Sequence, residues 1–214
     1  MRMRFILLNV VVVALHAVTF RYAFKWLKNY WCNFKEEAVK NDSEYMELLT
    51  FYSRYNECSP CHNSAFSKCN SQECSYLKTL RIVEILGQTK NTLDVCIYLF
   101  THEGFYLKLV DLFNSGVKIR IILDHEMALT NGSKLEQLKE SGLNVKVRSS
   151  SHVMHHKFFI IDNSLLVTGS LNWTTHAVLL NTEQVLVTNK KYFIERSRTI
   201  FEMLWNDSSS IQIR

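Results

Sequence analysis

Proline is almost missing from this chain, with one residue in 214, and glycine is scarce at six. Those two shortages exclude collagen-like and linker-rich sequence and leave regular secondary structure as the expectation. Charge is modest too. Only 21% of residues are charged while 47% are hydrophobic, a balance that rules out bulk disorder. It leaves enough apolar surface for one domain with a real core plus an appendage. The net charge of +5 is mild. It is compatible with a phosphate-bearing partner without demanding one.

Formal charge vanishes altogether from Phe5 to Phe20, "FILLNVVVVALHAVTF". Sixteen helical residues span about 24 Å, slightly short of a bilayer core. Extension to Leu27 closes the gap if Arg21 and Lys25 snorkel to the interface, where Tyr22, Trp26, Tyr30 and Trp31 form an aromatic belt. A cleaved signal peptide is the rival reading, yet no small-x-small cleavage site follows; a buried core helix is the other. The expectation is an uncleaved N-terminal transmembrane anchor over residues 1–28. Arg21, Lys25, Lys28 and Lys35 outnumber Arg2 and Arg4, which places the following domain in the cytosol. Of the four Asn-x-Ser/Thr triplets, at Asn41, Asn131, Asn172 and Asn206, the third lies inside the motif described below, where a glycan would be ruinous.

Residues 29–57 are mixed and charged, and read as a connector, partly helical. Cysteine is then concentrated in one place. "CSPCHNSAFSKCNSQEC", residues 58–74, holds Cys58, Cys61, His62, Cys69 and Cys74. Disulfides are unfavoured in a cytosolic domain, so a structural zinc site is the expected explanation. Zinc takes four tetrahedral ligands. The candidate sets are Cys58, His62, Cys69, Cys74 or Cys58, Cys61, Cys69, Cys74, since the adjacent Cys61 and His62 rarely both ligate.

From residue 75 to 214 the pattern is α/β. "YLKTLRIVEILGQ" places Leu77, Leu80, Val83 and either Ile85 or Leu86 on one helical face. "TLDVCIYLF" reads as a buried strand, "EGFYLKLVDLFNSG" as a helix stopped by Gly116, and "VKIRIILD" as a strand ending at Asp124. Ser133 to Glu136 is a capping box opening a short helix that ends at Gly142. "LNVKVR" and "EQVLVT" are further strands, and a last helix runs from Tyr192 to Trp205. Alternating strands and helices predict a mixed, mostly parallel sheet covered by helices on both faces.

The chemistry is concentrated in "HHKFFIIDNSLLVTGSLNWT", His155 to Thr174. Read as a strand, "HHKFFIID" points His155, Lys157, Phe159 and Ile161 to one face and His156 to the other. "DNS" is a turn signal and "LLVTG" the returning strand. The hairpin brings Ser170 beside Lys157 and Asn172 beside His155. Imidazole, ammonium, hydroxyl and carboxamide then share one strand end, a donor-rich pocket suited to a phosphate. Gly169 allows a ligand or backbone to approach closely. A neutral imidazole is a competent nucleophile and acid–base group. Lys157, Asn172 and Ser170 would hold the phosphate oxygens, stabilising developing charge without a catalytic metal.

This joint spacing, His-x-Lys, four residues, Asp, then Gly-Ser-x-Asn six residues on, resembles the HKD signature of the phospholipase D superfamily. The likeness extends to the N-terminal apolar span, the Cys/His cluster, "GVKIRIILDHEMAL" and "NTEQV", and is greatest to the superfamily's mitochondrial branch. The resemblance implies His155 as the nucleophile that becomes a phosphohistidine, with Lys157 and Asn172 binding phosphate. It implies an orienting, structural Asp162, and Glu183 as the carboxylate that hydrogen-bonds the catalytic histidine. His152 and His156 receive no role. It implies a phospholipase D-like domain carrying a membrane anchor and a small zinc-finger-like insertion, at the mitochondrial outer membrane and facing the cytosol.

The motif occurs once. The superfamily reaction needs two histidines, one to attack and one to protonate the leaving oxygen, so a two-fold homodimer is expected to supply them. The resemblance further implies a single-strand-specific endoribonuclease acting on precursors of PIWI-interacting RNAs and leaving 5′-phosphates. The alternative is hydrolysis of cardiolipin to phosphatidic acid. A third reading, an inactive RNA-binding membrane scaffold, is opposed by the intact motif.

Overall fold

The computed structural model describes residues 44–52 and 74–213, which form part of one compact unit, Glu44–Arg214. The anchor expected at 1–28 and four of the five zinc-ligand candidates, Cys58, Cys61, His62 and Cys69, lie outside the described residues. Among the described residues no helix is long and apolar enough to cross a membrane, and no group of three His, Cys, Asp or Glu could hold a metal ion.

The described chain is built on eight strands: β1 (Met46–Phe51), β2 (Thr92–Ile97), β3 (Lys118–Asp124), β4 (Asn144–Arg148), β5 (Lys157–Ile161), β6 (Leu165–Gly169), β7 (Glu183–Thr188) and β8 (Ser210–Ile213). The helices are α1 (Ser75–Leu86), α2 (Glu103–Asn114), α3 (His125–Ala128), α4 (Leu135–Glu140), α5 (Thr175–Leu180) and α6 (Lys191–Asn206). One sheet runs in the order β1-β7-β6-β5-β2-β3-β4-β8. Only β2–β3 and β3–β4 are parallel, and the other five pairings are antiparallel. The sheet is therefore mixed, as expected, but mostly antiparallel rather than mostly parallel. The hairpin at Asp162–Asn163 is one reason. Both residues take the left-handed conformation, φ 48° and 51°, in the three-residue loop Asp162–Ser164 that joins the paired Ile161 and Leu165.

Two further expectations are corrected. The supposed connector at 29–57 contains β1, an edge strand whose alternate residues Leu49 and Phe51 enter the core. The charges of Glu44 and Glu47 disguised it, and both are paired, with Lys190 and Arg81. On α1 the buried face is Ser75, Lys78, Thr79, Ile82, Ile85 and Leu86; Leu77, Leu80 and Val83 are only half-buried. The aliphatic side chain of Lys78 can lie along apolar surface, while its ammonium reaches the Thr50 carbonyl at 2.5 Å. A pattern count that treats lysine as polar misplaces that face. At α4, Ser133 Oγ does accept an N–H at the helix start, from Leu135 at 3.3 Å, although Lys134 occupies the cap position.

Helices cover both faces, as predicted. On one face α1, α2, α4 and α5 pack Ile82, Phe105, Leu109, Leu138 and Val178 over Val95, Ile121, Val145, Phe159 and Val187. On the other, α6 brings Ile194 and Phe201 onto Cys96, Ile122, Phe158, Ile160 and Leu166. That second face also carries a charged clamp. Arg120 forks onto Asp94 at 2.7 and 2.8 Å and onto Glu202 of α6 at 2.7 Å, with its guanidinium 4.8 Å from the Phe201 ring centre. Asp94 is buried, and two parallel N–H···O bonds satisfy both of its oxygens.

Candidate active site

The parallel strands β2–β4 fix the geometry of the site. Ligands of α/β sheets bind beyond the carboxyl ends of such strands. Here that edge gathers the ends of β2 and β3, the start of β5, the end of β6 and the start of β7.

His155 lies at this edge, two residues before β5 rather than within it. Its approach is fixed from behind. Asp124, buried at the end of β3, accepts the Met154 N–H at 2.9 Å with one oxygen. With the other it caps α3 through Glu126 and Met127 N–H at 3.1 and 3.2 Å. Met154 is itself buried, 3.3 Å from the Cys96 sulfur. The His155 ring meets Tyr98 edge-wise at 4.5 Å between centres. Lys157 opens β5, mostly buried, with its ammonium donating to the His155 carbonyl at 2.9 Å and lying 4.9 Å from the Tyr98 ring centre. Burial pulls the Lys157 pKa down, a shift opposed by the nearby Glu183 carboxylate and the Cys96 thiol. Tyr98 thus touches both motif residues. Sequence reasoning passed over it as the end of an apolar strand.

The returning strand supplies the opposite wall. β5–β6 pairing sets Phe158 opposite Thr168, so Lys157 falls opposite Gly169, one residue from the register that would set Ser170 directly beside it. Gly169 is required for the next step: a Cβ there would lie 2.0 Å from the Gln184 carbonyl oxygen. That close approach of β6 to β7 places Ser170 against Glu183. The Ser170 hydroxyl donates to one Glu183 oxygen and accepts the Gln184 N–H at 3.1 Å. Asn181 donates to the other oxygen at 2.9 Å. Two expectations shift here. Ser170, expected to bind phosphate, has its single proton committed to Glu183. Glu183, expected to bond the catalytic histidine, is bonded to Ser170 and Asn181. Asn181 was missed; its position two residues before Glu183, on a turn into a strand, was the available signal.

Asn172 is half-buried, and its side-chain oxygen is buried with no hydrogen-bond partner among the described residues. A buried unsatisfied polar group is rare and calls for a partner or a reoriented amide. Its neighbours hold it rigidly. Trp173 packs against Phe100, Phe105 and Phe159, its carbonyl accepts the Thr101 and His102 N–H groups, and Thr174 caps α5 through Ala177 N–H at 2.9 Å.

Asp162 sits at the far end of β5, away from His155. Its carboxylate accepts the N–H groups of Lys90, Asn91 and Thr92 at 2.9, 2.8 and 2.8 Å. Burial pushes its pKa up, but the three backbone donors and the Lys90 charge outweigh this and hold it below the usual carboxylate range. The position fits an orienting, structural role. His156 turns to the α6 side, against Phe158; burial, then the charges of Lys157, His155 and Arg148, lower its pKa. His152 is hydrogen-bonded within its own loop, to Ser150, Ser151 and Arg148. Of the zinc candidates Cys74 alone is described: buried at the cap position of α1.

Residues 82–205, which carry this whole edge, match the family described as cardiolipin synthase, PLD-like domain. The chain belongs to that family, within the phospholipase D superfamily of enzymes. Among curated proteins it is similar to the mitochondrial cardiolipin hydrolase of Chlamydomonas reinhardtii, 36% identical over 152 residues, 69% of this chain and 68% of that protein. The protein of the same name in Homo sapiens is 34% identical over 125 residues, 58% of this chain and 50% of that protein. The chain thus matches between half and about two thirds of the length of these relatives. In fold it is similar to Nuc of Salmonella typhimurium, a phospholipase D family member, with TM-score 0.63 at 19% identity over 80% of this chain and 99% of that one. NucT from Helicobacter pylori gives TM-score 0.59 at 18% identity over 80% and 100%.

Proposed function

We propose that the chain is a phosphodiesterase that works through a phosphohistidine and requires no catalytic metal. The observation that carries this reading is the pairing of His155 and Lys157, joined by a hydrogen bond and by the shared Tyr98 ring, at the sheet edge that also holds the Ser170–Glu183–Asn181 triangle. The His155 imidazole attacks phosphorus, forming a P–N bond as the P–O bond to the leaving group breaks. A second histidine protonates the departing oxygen, then takes a proton from water as that water displaces His155. Lys157 and Asn172 hold the phosphoryl oxygens, whose charge is stabilised most effectively by groups already in place. With one motif per chain, the second histidine is His155 of a second copy, in a homodimer.

The substrate is single-stranded RNA, cut so that the 3′ oxygen leaves and the 5′-phosphate remains, in the maturation of PIWI-interacting RNAs. A second reading is cleavage of cardiolipin to phosphatidic acid, favoured by the names of the relatives and by the apolar run Phe5–Phe20. The same relatives' names support a mitochondrial location. A single N-terminal pass through the outer membrane, with the domain in the cytosol, completes the reading. A structural zinc held by Cys58, Cys69, Cys74 and either His62 or Cys61 is part of it, and metal content of Cys61→Ser and His62→Ala chains distinguishes the sets.

The test offers the full chain, purified in detergent, both labelled single-stranded RNA and cardiolipin, with EDTA present. Cleavage of RNA to 5′-phosphate products, abolished in His155→Ala while the dimer persists, is expected. Full activity in that variant removes the nucleophile assignment, and cleavage of cardiolipin alone selects the second reading.

A further inference from the structure

All six histidines among the described residues lie on the segments that leave or enter strands at the catalytic edge. His102 follows β2 and His125 opens α3 after β3. His152, His155 and His156 lie between β4 and β5, and His176 is in α5 between β6 and β7. The fixed charges on these same segments oppose a phosphate. Five are carboxylates, Glu103, Asp124, Glu126, Glu183 and Asp207, and three are cations, Lys134, Arg148 and Lys157. Lys134 is paired with Glu103 and Arg148 with Asp207, while Lys157 is buried and bonded to the His155 carbonyl. With its histidines neutral, the formal charge of this edge is negative.

Resting on the phosphodiesterase reading, we infer that the exposed His125, His152 and His176 form a proton-gated mouth that holds the phosphates flanking the scissile one on a nucleic-acid strand. An imidazole in water takes up its proton near pH 6.5, so mild acid turns a negative rim into a positive one. The surrounding groups do not supply that charge themselves. His125 lies between Asp124, whose oxygens accept backbone N–H groups, and Glu126, on a helix packed against β3 and β4. On those strands Arg120 is paired with Asp94 and Glu202, Lys146 holds the Trp205 carbonyl, and Lys118 begins β3 at the opposite edge. Arg148 donates to the His152 carbonyl at 3.3 Å. Behind His176, α5 packs against α1, where Lys78 holds the Thr50 carbonyl and Arg81 is paired with Glu47 and Glu84; α5 leads on to Glu183, bonded to Ser170 and Asn181. His102 and His156 contribute less, because burial lowers the pKa of both and His102 caps α2 by accepting the Phe105 N–H at 3.4 Å. The three exposed rings sit on three separate segments around His155. A strand brings a phosphate at every nucleotide to such a rim, whereas cardiolipin brings only one beyond the scissile phosphate.

The experiment measures equilibrium binding of labelled single-stranded RNA to the full chain carrying His155→Ala, which separates binding from cleavage. Affinity is expected to rise about tenfold or more from pH 8 to pH 6. The slope of log affinity against log salt should steepen by about 2 over the same range, near the ~0.7 per phosphate of a single strand taken over three imidazoles. Adding His125→Gln, His152→Gln and His176→Gln removes both changes. Adding His125→Lys, His152→Lys and His176→Lys instead makes binding tight at pH 8 and insensitive to pH, a gain that a misfolded variant would not show. A pH response that survives the glutamine changes, lysine variants that bind no tighter at pH 8, or a response seen on cardiolipin vesicles and not on RNA overturns the mouth. If binding behaves as expected but wild-type chain cleaves neither RNA nor bis(p-nitrophenyl) phosphate, the phosphodiesterase reading is overturned and the mouth stands as a nucleic-acid-binding surface.

Discussion

Replacing Asp162 separates a structural carboxylate from a catalytic one. Its two oxygens accept three backbone N–H groups at 2.8–2.9 Å, tying the β5–β6 turn to the chain entering β2. Hydrogen bonds to a charged group contribute roughly 1.5–3 kcal/mol each when well shielded. Asp162 is only half-buried, so water competes, and about 1 kcal/mol per bond is the reasonable figure. Asp162→Ala should therefore cost about 3 kcal/mol from lost bonds, plus ~1 kcal/mol for placing alanine at φ 48°. Asp162→Asn tolerates that conformation and isolates the charge and hydrogen-bond part. Asp162→Asn keeps one acceptor oxygen, enough for the Asn91 and Thr92 bonds, and loses the Lys90 bond and the charge, about 1–2 kcal/mol; for a domain of this size 1 kcal/mol moves the melting temperature by about 2–4 °C, so this variant should melt ~2–8 °C lower. The sign of the pH dependence follows from the depressed pKa of the folded state. The stabilisation is fully present above the unfolded pKa of about 3.9 and is lost as pH falls through the lower folded value. Asp162→Asn should lose this acid-side dependence. The assays are thermal denaturation from pH 7 down to pH 3, and turnover at a temperature where each variant is fully folded. Turnover that collapses in folded Asp162→Asn, or a melting temperature equal to wild type, would refute the assignment.

Gly169→Ala puts a methyl group 2.0 Å from a backbone oxygen that is itself hydrogen-bonded. It should cost about 3 kcal/mol or more by overpacking and separate Ser170 from Glu183, so both melting temperature and turnover should fall together. Tyr98→Leu removes a ring shared by His155 and Lys157. A partly desolvated cation–π contact contributes about 1–2 kcal/mol, so kcat/KM should fall roughly five- to thirtyfold while Tyr98→Phe stays near wild type. Wild-type kinetics in Tyr98→Leu would remove its positioning role.

Much of the chemistry was legible in the chain because it depends on local spacing. A hairpin converts sequence offsets into spatial neighbours, so the start of β5 and the end of β6 could be placed together, to within a residue, by counting from the Asp162–Asn163 turn. The helix at 191–206 and strands β3, β4 and β7 were equally legible, since their side-chain periods are intrinsic to the backbone. Strand order was not. Whether neighbouring strands run parallel or antiparallel depends on which edges pack together, and no local pattern records that; β1 passed for a connector for the same reason. The partners of each polar group were also beyond local reading. Glu183 bonds Ser170 across a glycine-enabled strand contact and Asn181 across a turn, Asp124 reaches Met154 thirty residues on, and Tyr98 meets His155 only because β2 pairs with β5. The sequence determined which reactive groups the chain carries and which lie together on one hairpin. Only the tertiary structure decided what each of them is bonded to, because those bonds join residues that the sheet, not the sequence, makes neighbours.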